Sequence, residues 1–416
     1  LNIGHWSLVI IYLICYFSLF PYRVKYKNIK GVKFMKKVLA LLLAFVLVLS
    51  LAGCAKTPAG VEQPDGGEEA SGNYKIGIVT GTTSQGEEEF RAGERLAKEY
   101  PDMIKHITYP DKFAQEVETT VSQVASLAAD PDLKAIVFVQ AVTGAAASID
   151  KVRETRDDIL FILGAPHEDP DVVAARADIA LDLDQLQRGV TIMERAKDMG
   201  AETFVHYSFP RHMQMELLSL RRDKLKETAE ALGIEFVEVD SPDPLAEGGV
   251  SATQQFILED VPRQVAQYGK NTAFFGTNCG MMEPLIKQVL DEGAIFPEQC
   301  CPSPYHAYPN ALGIKIPADK AGDIEYLVEQ IKEKVAEKDG TGRFATWNRP
   351  ANVSMVEAGV KYAQAYIEGD IDKLDKDAML QLMEQVTGDT SGAIQFTEYD
   401  PDINNFLLFV LGSEIF

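Results

Sequence analysis

Beyond residue 73 this sequence predicts an α/β protein of two similar lobes, each a parallel sheet flanked by helices. Three observations carry the prediction. Short runs rich in β-branched and aromatic residues alternate with stretches of helical apolar spacing. The runs are apolar almost without interruption, as strands covered by helices on both faces must be. The alternation also begins a second time after residue 184.

In the first lobe, 74–184, the runs YKIGIVT (74–80), AIVFVQ (135–140), ILFIL (159–163) and 179–183 read as strands, with 104–109 a weaker one. Helical spacing over 87–100, 113–129 and 144–156 separates them, which makes repeated βαβ units with right-handed crossovers. In the second lobe, 185–317, TFVHY (203–207), EFVEV (235–239), TAFFG (272–276) and LGIKI (312–316) are expected strands. They alternate with helices at 186–199, 213–232, 261–268 and 282–292. Helices at 324–338, 353–368 and 376–386 and a final strand at 406–412 make a segment, 318–416, expected to return to the first lobe.

The N-terminal part is of another kind. Met35-Lys-Lys, an unbroken apolar run and Leu51-Ala-Gly-Cys54 have the basic start, short apolar core and small-residue end of a secretion signal, 35–53. The last four residues resemble the lipobox of bacterial lipoproteins, which implies that Cys54 is acylated and that the chain sits on the extracytoplasmic face of the cell membrane. Residues 1–34 read as an extension upstream of the working start, with an extra membrane segment as the alternative. Their apolar run, Leu8–Phe20, is shorter than the ~20 residues that span a bilayer. From 54 to 73 the chain is rich in Pro, Gly, Ser and Glu without periodicity, a lipidated flexible linker.

The formal charge of −22 opposes binding to nucleic acid or anionic lipid, and the seven basic residues of the leader depart with it. Cys279, Cys300 and Cys301 remain once Cys15 and Cys54 are set aside. An odd number with two adjacent is not a disulfide framework, so buried free thiols are expected, with a bridge from Cys279 to Cys300 or Cys301 as the alternative.

The segments YKIGIVTG, DPDLKAIVFVQAVTG, ILFILGAPHEDP, MGAETFVHYSFPRH and KNTAFFGTNCGMMEPLIKQVLDEGAIF resemble the type 1 periplasmic-binding-protein fold and a family of uncharacterised bacterial solute-binding lipoproteins. The resemblance spans Tyr74 to the C-terminus. It implies two lobes joined by a multi-strand hinge, with ligand held in the cleft between them.

Physical rules place the site independently, because ligands of open parallel sheets bind beyond the carboxyl ends of the strands. In the first lobe those ends carry Thr82, Thr83 and Ser84, then Gln140 and Thr143, then His167. In the second they carry Tyr207 and Arg211, then Asn278. Thr82 and Ser84 equally suit a helix cap, and Tyr207 equally suits the core.

No phosphate loop, dinucleotide fingerprint, G-x-S-x-G elbow, H-E-x-x-H or zinc-type cysteine spacing occurs. No catalytic residue, cofactor or metal is therefore expected. The reading is a lipid-anchored receptor for a small polar solute, serving an ABC importer. The alternatives are a receptor presenting ligand to a membrane sensor and, less well supported, an exported hydrolase. Sugar, amino-acid and nucleoside ligands all remain open.

Overall fold

A computed structural model describes residues 74–416 except 85, 318, 319, 321 and 390–393. The upstream extension, the signal, Cys54 and the linker lie outside the described residues. Among those described, no helix is long and apolar enough to cross a membrane.

The first lobe is built on β1 (Lys75–Thr80), β2 (Ile104–Thr108), β3 (Leu133–Val139), β4 (Leu160–Gly164), β5 (Ile179–Leu183), β10 (Thr397–Asp400) and β11 (Ile403–Phe409), in the order β10-β11-β5-β4-β3-β1-β2. All neighbours are parallel except β10 with β11. The two-residue period of a strand divides the core. Val137 and Val139 of β3 pack with Met355 and Tyr362 of the helix Ala351–Glu368, and Ile136 and Phe138 pack with Val124 and Ile149 on the other face. Both sides of the strand are dry, which is why its sequence is apolar without alternation.

The second lobe repeats the plan with β6 (Thr203–Ser208), β7 (Glu235–Asp240) and β8 (Thr272–Gly276), in the parallel order β7-β6-β8. Parallel bridges from Ala273 to Ile295 and from Phe296 to Phe344 carry the sheet towards β9 (Ala345–Trp347), which pairs antiparallel with β12 (Ser413–Ile415). Val205, Tyr207 and Phe274 face one core, and Phe204, Ala273 and Phe275 face the other.

The chain passes between lobes at 184–185, at 348–350 and at 410–412. These crossings lie side by side: Asp184 N donates to Phe409 O at 2.8 Å, and Asn348 N donates to Gly412 O at 2.7 Å. Asp184 also caps the first helix of the second lobe, its carboxylate accepting from Gln187 N at 2.9 Å, so the hinge residue and the helix start are one.

Three expectations are corrected. LGIKI forms no strand. Tyr308–Leu312 is a short helix closed by Gly313 at φ 67, and Ile314 and Ile316 alternate because both press half-buried on the core. The helix expected at 261–268 instead spans Gly249–Tyr268 and runs through Pro262. The segment 318–416 also divides: Leu327, Ile331 and Val335 of the helix Ile324–Ala336 belong to the second lobe's core, and the return to the first lobe begins at Ala351.

Candidate functional site

The strands of both lobes point their carboxyl ends at one interlobe pocket. Gln140 follows β3, His167 follows β4, Arg211 follows β6 and Asn278 follows β8, and all four line it. Gln140 adopts φ +49 and Ala165, after β4, φ +44, a left-handed backbone that non-glycine residues rarely take and that often marks functional loops. The amide of Gln140 is already engaged, since its Nε2 donates to Glu89 Oε1. Arg211 is held by Asp243 in a bidentate pair at 2.9 and 3.0 Å. Asn278 caps a short 3-10 turn, Oδ1 accepting from Gly280 N at 2.8 Å. His167 leaves Nδ1 buried without a partner. Burial and the neighbouring Arg211 charge hold its pKa down to about 4, so the ring is neutral.

The other expected residues lie elsewhere. Thr82 and Ser84 bond to each other at 3.0 Å and to Asp111, forming a solvent-facing loop, and Thr83 and Thr143 are exposed. None of these four lines the pocket. Tyr207 is fully buried in the second lobe, its hydroxyl donating to Asp260 Oδ2 at 2.9 Å. Its direction follows from strand period: Tyr207 shares a face with Val205, and that face looks into the helices. The helix N-terminus offered by Gly144 is occupied by the protein itself, since Glu168 accepts from Gly144 N at 3.2 Å and from Ala146 N at 2.8 Å.

Sequence reasoning missed the buried charges. Arg221, 1 % exposed, lines the pocket with Nε and Nη2 unpartnered; Nη1 donates to Gln185 Oε1 at 2.7 Å, and the guanidinium lies 4.9 Å from the centre of the Phe275 ring. Burial, reinforced by Arg188, lowers its pKa to about 9, which leaves it charged at neutral pH. Asp182, in β5, is pushed up to about 7 by burial, against the opposing hydrogen bond from Leu183 N and the charge of Arg188. Behind the pocket wall a closed network fixes the second lobe. Glu298 accepts from Arg188 Nε at 2.8 Å, from Arg195 Nη1 at 2.6 Å and from Trp347 Nε1 at 2.8 Å. Arg188, Arg195 and Arg221 sit on helices and Glu298 in a loop, where they read as ordinary surface charges, and only the tertiary fold buries them.

The geometry can therefore hold a small polar molecule between a cationic second-lobe wall and an acid- and amide-bearing first-lobe wall. His206 is stacked between Phe236 and Phe275, ring centres 5.9 and 6.0 Å away, inside the sheet packing.

Comparison with known proteins agrees with this architecture. A crystal structure of a protein from Clostridium difficile 630, described as a candidate transcriptional regulator, superposes with a TM-score of 0.66 over 83% of this chain and 99% of that one, at 26% identity. The substrate-binding protein of a sugar ABC transport system from Bordetella parapertussis 12822 superposes with a TM-score of 0.51 over 83% and 90% of the two chains at 11% identity, a likeness of fold. The fold is that of type 1 periplasmic-binding proteins. An uncharacterised protein of Treponema pallidum (strain Nichols) is 35% identical over 211 residues, covering 49% of this chain and 96% of its own. The family profile described as "Protein of unknown function (DUF3798)" matches residues 74–345, well over half of the chain, and the protein belongs to that family.

Proposed function

We propose that this protein is an extracytoplasmic, lipid-anchored solute-binding protein that captures a small polar solute in the interlobe cleft and delivers it to an ABC importer. The observation that carries the reading is Arg221, a buried cation on the pocket wall with two unpartnered nitrogens. A charge left so is costly unless something supplies the missing acceptors. A solute bearing a carboxylate, phosphate or similarly strong acceptor does so, and the hinge of adjacent crossings lets the lobes close on it. The acidic balance of the chain supports a solute over nucleic acid, whatever the activity of the Clostridium protein of the same fold. The alternative, a receptor that presents the same solute to a membrane sensor, uses the same cleft and differs only in partner.

The test is a pair of measurements. Mass spectrometry of small molecules retained by unrefolded protein identifies the solute, and calorimetry then compares Arg221→Met with the parent. The variant should bind roughly 10- to 150-fold more weakly, as loss of a charged hydrogen bond predicts, while the empty protein melts no lower, because an uncompensated buried charge has been removed. Equal affinity would overturn this placement of the solute. The anchor is tested separately: Cys54→Ser should abolish metabolic fatty-acid labelling, and persistent labelling would remove Cys54 from the reading.

A further inference from the structure

The sulfur-bearing corner of the second lobe plays no part in the solute reading. Cys300 Sγ lies 3.3 Å from Cys279 Sγ, and Cys301 Sγ lies 3.5 Å from Cys279 Sγ, all three as free thiols. One donor atom each from Cys279, Cys300 and His306 fall within 4.8 Å of one another. Cys279 has been brought to Cys300 and His306, 21 and 27 positions on, and the scaffold that gathers them is specific. Asn278 caps the turn that carries Cys279. Gln299 fixes the loop after it, its amide donating to Ser303 O at 2.8 Å and His306 O at 3.2 Å, while its own carbonyl accepts from Arg188 Nη2 at 2.9 Å.

A hydrogen bond sets the tautomer of the imidazole. His306 Nδ1 stands 2.6 Å from the Cys301 carbonyl, which can only accept, so Nδ1 carries the proton and Nε2 keeps its lone pair. Two sulfurs and one ring nitrogen make a donor set for a borderline-soft ion, and a zinc ion bonded at about 2.3 Å would hold its sulfurs about 3.8 Å apart. Small side-chain rotations reach that spacing from 3.3 Å.

We propose that Cys279, Cys300 and His306 Nε2 form a binding site for one thiophilic divalent cation of the zinc class, with its fourth position turned to the cleft. Cys279 and Cys300 both line the pocket, so that position is reachable from it, and Cys301 beside Cys279 is a further donor for it. Each thiol that ligates gives its proton to solvent, and nothing is oxidised or reduced. The site stands whether or not the cleft takes an anionic solute.

The experiment uses the full chain in detergent, with thiols blocked during isolation in one portion and kept reduced and metal-stripped in another. Titration of the reduced portion with Co2+ should give one ion per chain with a sulfur-to-cobalt charge-transfer band, and Zn2+ should displace it against a chromophoric chelator. Cys279→Ser, Cys300→Ser and His306→Gln should each weaken Zn2+ binding by roughly tenfold or more. His306→Gln serves as the fold control, because it leaves every thiol in place and should keep the parent's circular dichroism and free-thiol count. A loss with Cys301→Ser would identify the fourth ligand; no loss would leave that position to the cleft; both support the site. Absence of the charge-transfer band, equal affinity in all variants, or isolation of the blocked protein with Cys279 in a disulfide to Cys300 or Cys301 would overturn it.

Discussion

The first-lobe wall of the cleft concentrates acids and backbone strain, whereas the second-lobe wall concentrates cations and thiols. On the first side stands Asp182, with left-handed Gln140 and Ala165 at the strand ends and the buried Glu89 behind them, bonded to the Gln140 amide. On the second stand Arg221, Arg211, His212 and the three cysteines, and neither β6 nor β8 ends in a left-handed non-glycine residue. The two lobes share one βα plan, so the fold does not dictate this difference. It teaches that the cations of one wall are not neutralised by the acids of the other: burial drives those acids towards their neutral forms and leaves Arg221 uncompensated.

The largest expected effect breaks the second wall. Glu298→Gln removes the carboxylate shared by Arg188 and Arg195, both oxygens of which are fully buried, and should cost about 3–5 kcal/mol, read as a lowered urea midpoint at unchanged slope. An unmoved midpoint would mean that this wall is held by packing alone.

A smaller effect sharpens the first wall. Burial, the charge of Cys301 and little else push the Glu89 pKa up to about 7, against the hydrogen bonds from Gln140 and Asn352. A folded value above the unfolded one means a contribution fully present below about pH 4.5 and lost as pH rises through 7. Glu89→Gln should remove that loss, so that the fall in stability between about pH 4.5 and 8 is shallower by on the order of 3 kcal/mol. Denaturant unfolding at both pH values checks it. A variant with the parent's pH profile would show that Glu89 stays ionised, and that the first wall is as charged as the second.

Legibility in the sequence divides along the same physical lines. Strands buried on both faces, such as AIVFV and TAFFG, announce themselves because nothing polar is tolerated there, and strand ends then locate Gln140, His167, Arg211 and Asn278 at one pocket. Which way a strand-end side chain points depends on period and twist, and so Tyr207 went to the core and Thr143 to solvent. Arg188, Arg221 and Glu298 were illegible for a different reason. A charged residue on an amphipathic helix or in a loop reads as surface, and only contacts distant in sequence, such as Arg188 with Glu298 and Arg221 with Gln185, bury it. The cysteines were visible as residues but not as a cluster, because the loop 294–307 that brings Cys300 to Cys279 has no periodicity to read.

The side-by-side crossings have a consequence for how the molecule can be cut. β5 is flanked on one side by β4 and on the other by β11, so Ala180 pairs with Phe406, more than two hundred residues later. A fragment ending at Leu183 therefore exposes β5 as an open edge, apolar but for Asp182, and lacks the helix Ala351–Glu368 that roofs one face, a surface prone to pair with other chains. The second lobe draws nearly all of its structure from one continuous stretch, 185–347, borrowing β12 and Phe416 from the end of the chain. The halves look alike in space but are unequal as modules: one can be excised almost whole, and the other exists only when both arms of the chain have come back to it.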